Sequence, residues 1–203
     1  MQVRNTLWVL AFITATAHAQ TNGAFTATSI PDSIFERMQG KSFPHNCTIP
    51  RSQLRYLRLL HVDADGQTHT GELVCNADIA EDLLSIFQRL YAEQYPIERM
   101  RLIDDYDAND ERSMQDNNTS CFCHRPITNG HTPSKHATGM AIDINPRYNP
   151  YVAANGDTLP HNAQHSGPYR IEPGDLCHRL FTERGFTWGG AWQRTKDYQH
   201  FQR

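Results

Sequence analysis

Basic residues nowhere gather in this sequence of 203 residues. Its 19 Lys and Arg are outnumbered by 22 Asp and Glu, for a formal net charge of -3, which argues against a nucleic-acid partner. No C-x-x-C pair occurs. The five cysteines, Cys47, Cys75, Cys121, Cys123 and Cys177, fall at irregular spacings that do not suit a structural zinc knot. In an oxidising compartment they allow up to two disulfides and leave one thiol over. Past the first twenty residues no run is long and apolar enough to cross a bilayer. Internal repeats are also lacking.

The first twenty residues, MQVRNTLWVLAFITATAHAQ, have the three-part order of a secretory signal. Arg4 lies in the n-region, an apolar run extends from Leu7 to about Thr14, and Ala17-His18-Ala19 makes an A-x-A cleavage site. Residues 1–19 are therefore read as a signal peptide, cleaved near Ala19, and the protein as secreted or periplasmic. Residues 20–30 are small and polar and read as a flexible tail. Residues 31–203 remain, enough for one domain with a real core.

Within that domain PDSIFERMQ (31–39) suits a short helix stopped by Gly40. RYLRLLHV and QTHTGELVC, joined by DADG, read as a β-hairpin. Asp78 and Glu81 form a capping box ahead of a helix whose apolar stripe runs Ile79, Leu83, Ile86, Phe87, Leu90, Tyr91. IERMRLIDDY (97–106) suggests a strand, 107–120 a polar segment too loop-like to pack, and Pro146 to Gly174 a long irregular loop. A second helix is expected over 174–185, with Gly185 as its C-cap, and YQHFQ closes the chain as a strand. Helices and strands do not alternate strictly, which favours α+β over a doubly wound sheet.

The most informative stretch is SKHATGMAIDINP, Ser134 to Pro146. Met140, Ile142 and Ile144 alternate as the buried face of a strand, while Asp143 lies on the other face, seven residues after His136. A catalytic zinc needs three protein ligands and an open position. His136 and Asp143 supply two, and His200 in DYQHF is the best-placed third, opposite the anchoring Phe201. Asp197, three residues earlier, is a candidate general base. Taken singly, a lone histidine is more often structural and a lone aspartate a cap; H-x6-D followed by D-x-x-H outweighs those readings. Asn145 is a candidate hydrogen-bond partner behind Asp143.

SKHATGMAIDINP resembles the S-x-H-x-x-G-x-A-x-D motif of the D-alanyl-D-alanine carboxypeptidase and L-alanyl-D-glutamate peptidase superfamily, the M15 zinc peptidases. WGGAWQRTKDYQHFQ is similar to the W-G-G-x-W…K-D-x-x-H-F ending of its L-alanyl-D-glutamate branch. The resemblance covers about residues 95–203. It implies a hedgehog/DD-peptidase-like fold, a small antiparallel sheet flanked by helices with zinc in a cleft on the sheet. It also implies His136, Asp143 and His200 as zinc ligands, Asp197 as the catalytic carboxylate and Ser134 as the motif serine beside the substrate. Arg125 in TSCFCHRPI is the counterpart of an arginine near the substrate carbonyl, although CFCHR departs from the usual S-G-[YF]-R. Trp188 and Trp192 are candidates for lining the groove.

The function so implied is hydrolysis of a peptidoglycan stem peptide by zinc-activated water, at the L-Ala–D-Glu bond by a monomeric enzyme, with the D-Ala–D-Ala bond as the alternative. A zinc-binding module without catalysis and a disulfide-stabilised interaction protein are the readings from other classes.

Overall fold

A computed structural model describes residues 23–126 and 132–203; the expected signal peptide lies outside them. The chain enters as a short strand, β1 (Thr26–Thr28), followed by helix α1 (Asp32–Met38). Strands β2 (Leu54–Val62) and β3 (Thr68–Asn76) form the expected hairpin in unbroken register from Leu54↔Asn76 to Val62↔Thr68, and β1 pairs antiparallel with β2. Thus the tail expected over 20–30 is built into a sheet from Thr26 onward, and Ile30 is buried. Backbone pairing along the β2 edge has overridden a weak local signal.

Helix α2 (Ala77–Ala92) lies across this hairpin. Of its stripe, Ile79, Leu83, Ile86, Phe87 and Leu90 are fully buried, as the helical spacing requires, while Tyr91 at its end is only half-buried. Its cap is Asn76 rather than Asp78: the Asn76 side chain accepts a hydrogen bond from the Asp78 amide. The strand expected over 97–106 shrinks to β4 (Arg99–Met100), followed by a 3-10 turn over Ile103–Tyr106. The polar segment after it does pack. It forms α3 (Asp110–Gln115), capped by Asn109, and β5 (Asn118–Thr119), which pairs parallel with β4.

The rest of the chain builds the site. Strand β6 (Ala141–Asp143) follows a 3-10 turn over Lys135–Thr138. The loop expected from Pro146 to Gly174 contains a small hairpin, β7 (Tyr151–Val152) and β8 (Thr158–Leu159). Helix α4 (Leu176–Thr182) then leads to β9 (Thr187–Trp188), β10 (Lys196–Asp197) and β11 (His200–Gln202). The order β6-β11-β9 makes one antiparallel sheet and β10-β7-β8 another. Among the described residues the fold is thus mixed, with small sheets and four α-helices, and one core runs from α2 and the hairpin through Ile142 and Ile144 to Phe181 and Phe201. Among the described residues no helix is long and apolar enough to cross a membrane. All five cysteines are free thiols: Cys47 is half-buried and the other four are buried.

Candidate metal centre and active site

Strand pairing creates the site. In the β6–β11 register Asp143 stands directly opposite His200, so two residues far apart in sequence become cross-strand neighbours. Phe201, on the other face of β11, is fully buried and stacks on Phe181 with ring centroids 4.4 Å apart, which fixes the side on which His200 emerges. His136 arrives from the 3-10 turn, where the Ser134 hydroxyl accepts from the His136 amide at 3.2 Å.

Gly139 then reverses the chain into β6 at φ +68°. It also passes so close to β3 that an added Cβ would lie 2.6 Å from the Asn76 nitrogen. Asn76 holds this turn from the start of α2: its amide donates to Gly139 O at 2.9 Å and its side chain to Thr138 O at 2.9 Å.

Three polar groups converge as a result. His136 Nε2 lies 3.2 Å from His200 Nδ1 and 3.2 Å from Asp143 Oδ2, and His200 Nδ1 lies 2.9 Å from Asp143 Oδ1. The outer nitrogens decide what faces inward. His136 Nδ1 is 2.6 Å from the Cys121 carbonyl, which can only accept, so Nδ1 carries the hydrogen and Nε2 presents a lone pair. His200 Nε2 lies 3.1 Å from Gln202 Oε1, and with the amide so oriented Oε1 accepts from Nε2, which turns the Nδ1 lone pair inward.

Two lone pairs and a carboxylate facing one another call for positive charge. A proton on His200 supplies it in one way: burial works against that charge, but the bond to Asp143 and its negative charge prevail and raise the His200 pKa to about 9. For Asp143, burial pushes upward, yet the two imidazoles hold it well below the usual carboxylate range. A metal ion would supply the charge in the other way. Two imidazole nitrogens and one carboxylate oxygen, mutually within 4.8 Å, form a donor set suited to zinc with a position left open.

This cluster opens into a cleft of about 370 Å³ that also receives Ser134, Arg125, Asp197 and Trp192. Asp197 Oδ1 is buried without a hydrogen-bond partner. Burial, reinforced by the charge of Asp143 and opposed by His200, pushes the Asp197 pKa up to about 7. Gly189 makes room for it, since a Cβ there would fall 2.6 Å from Asp197 O. Trp192 is half-buried, its ring centroid 5.6 Å from that of His200.

Trp188 does not line the cleft. It is 5% exposed, sits in the core beside Phe201 and donates from Nε1 to Tyr198 O at 2.8 Å. Asn145 does not support Asp143 either. Its side chain bonds Glu98 N, Pro96 O and Tyr169 O, securing the start of the long loop.

Sequence reasoning missed Asp110, Tyr151, Leu159, Gln199 and Gln202, all of which line the cleft. Tyr151 and Leu159 arrive on the hairpin hidden in the long loop. The one legible signal was Asn109-Asp110-Glu111, an N-cap followed by first-turn acids.

Residues 128–203 match the family model described as D-alanyl-D-alanine carboxypeptidase, one of the M15 peptidases. The match supports an M15 family peptidase. The matched M15 region contains His136, Asp143, Asp197 and His200, while α2 and the β2–β3 hairpin lie outside it. No curated protein and no solved structure matches the chain significantly.

Proposed function

We propose that this chain is an exported zinc metallopeptidase that hydrolyses the L-Ala–D-Glu bond of peptidoglycan stem peptides. The observation that carries the reading is one cleft holding both the converging His136–Asp143–His200 set and Asp197, whose Oδ1 is buried without a hydrogen-bond partner. The family match favours a peptidase acting on peptidoglycan-type substrates. Export rests on the signal-like order of residues 1–19.

His136, Asp143 and His200 would hold the ion, which supplies Lewis acidity and brings the pKa of a water to about 7. Asp197 is suited to take a proton because it lies in the same cleft and its buried Oδ1 has no hydrogen-bond partner. It then returns the proton to the leaving amine. Arg125 brings a cation to the same cleft, where it stabilises the oxyanion that develops on the scissile carbonyl. Ser134 and Trp192 bound the groove in which the peptide lies. A pure metal-binding module has no use for a carboxylate oxygen left buried and without a hydrogen-bond partner in the same cleft, which favours catalysis.

An aspartate rather than a glutamate at position 197, together with the W-G-G-x-W ending, favours the L-Ala–D-Glu bond. The description of the matching family model favours a second reading, cleavage at D-Ala–D-Ala. Digestion of purified stem peptides by the zinc-loaded protein, read by mass spectrometry, separates the two. Loss of L-Ala with exposure of D-Glu is the expected result, and release of D-Ala would transfer the assignment to the second reading. A zinc-loaded protein that cuts neither bond would mark a binding module.

A further inference from the structure

Arg125 stands on a stretch without regular structure, between Cys121 and Pro126, whose backbone is tied to the site by hydrogen bonds. Cys123 N donates to His136 O at 3.1 Å and Ser134 N to Arg125 O at 3.0 Å. A long arginine side chain on such a stretch is a poor stabiliser of developing charge unless something fixes its direction beforehand. The group that faces it is Asp110, whose Oδ2 lies in ion-pair contact with Arg125 Nε, an attraction of charge rather than an aligned hydrogen bond.

Asp110 is itself firmly placed in the first turn of α3. Asn109 caps that helix by accepting from the Arg112 amide at 2.9 Å, and buried Ser113 takes a hydrogen bond from Asn118 at 3.0 Å. Asp110 also lines the cleft with the three converging residues, yet it is not one of that set. The pairing runs through Nε, on the stem side of the guanidinium. Among the described residues, the terminal nitrogen Nη1 reaches the Pro126 carbonyl, at 3.3 Å.

We propose that Asp110 is a positioning residue, which holds the Arg125 guanidinium in the cleft so that its terminal nitrogens meet the reacting carbonyl. The inference rests on the reading of the cleft as a peptidase site and of Arg125 as its oxyanion donor. It assigns a role to a residue of the polar segment 107–120, whose sequence looks too loop-like to pack. A residue that acts only through Arg125 has a defined signature: its loss matters while Arg125 is present and is silent once Arg125 is gone.

The test is a double-mutant cycle on stem-peptide cleavage, with zinc content measured for every variant. Asp110→Asn is expected to retain zinc and lower kcat/KM by about tenfold or more, mainly through kcat. Asp110→Glu should regain part of that loss, and Asp110→Asn added to Arg125→Ala should cost nothing further. Losses that multiply in the double variant, or an Asp110→Asn protein as active as the wild type, would overturn the inference while leaving the peptidase reading intact. Wild-type protein that holds zinc but cuts no stem peptide would overturn that reading and this inference together.

Discussion

Two hydrogen bonds decide which nitrogen each cleft histidine turns inward. The Cys121 carbonyl fixes His136, and Gln202 Oε1 fixes His200. The first is backbone and beyond the reach of substitution, but the second is open to test. Gln202→Leu keeps comparable bulk and removes the acceptor, leaving His200 free to place its hydrogen on the inward nitrogen. Zinc affinity, measured by competition with a chelator, should fall about 10- to 100-fold; unchanged affinity would mean that Gln202 does not set the tautomer. At this scale the sequence said much about identity and little about partners. His136, Asp143, His200, Asp197 and Ser134 were legible because motif spacing marks them. Gln202 and Asp110 were not, because nothing local distinguishes a glutamine or aspartate that faces a cleft from one that faces water. Trp188 misled for a related reason: its motif is real, but its ring packs behind the site.

Among the elements, the turn from His136 to Asp143 depends on Gly139. Its φ of +68° belongs to the left-handed region, and its Cα runs against the backbone of Asn76. Gly139→Ala therefore adds conformational strain to a clash with a main chain that cannot move aside. A stability loss of about 2 kcal/mol or more is expected in denaturant unfolding, with weaker zinc binding because His136 and Asp143 lose their relative placement. A variant as stable as the wild type would show that α2 and this turn do not depend on each other. The long elements were the legible ones. The β2–β3 hairpin and the stripe of α2 carry many residues of consistent periodicity, whereas β4, β7, β8 and β10 have two residues each and exist only through tertiary pairing. Strand β1 likewise owes its order to the β2 edge it meets.

On the scale of the molecule, the N-terminal half builds the hairpin and α2 that back the core, and the C-terminal half carries the candidate site. The hairpin and α2 form one wall of the core, and β6, β11 and β9 lie against it with the cluster on their outer side. The sequence pointed to α+β and to the sheet that carries the site. It could not show that the loop after Pro146 returns as a hairpin pairing with β10, since that pairing is long-range and its residues are few. If this cleft hydrolyses peptides with Asp197 as the group that moves the proton, turnover per bound zinc in Asp197→Asn is the quantity to measure first. Zinc content is expected to equal that of the wild type and turnover to fall by about 100-fold or more. Zinc lost along with activity would make Asp197 a ligand, and near-normal turnover with zinc retained would remove it from the chemistry altogether.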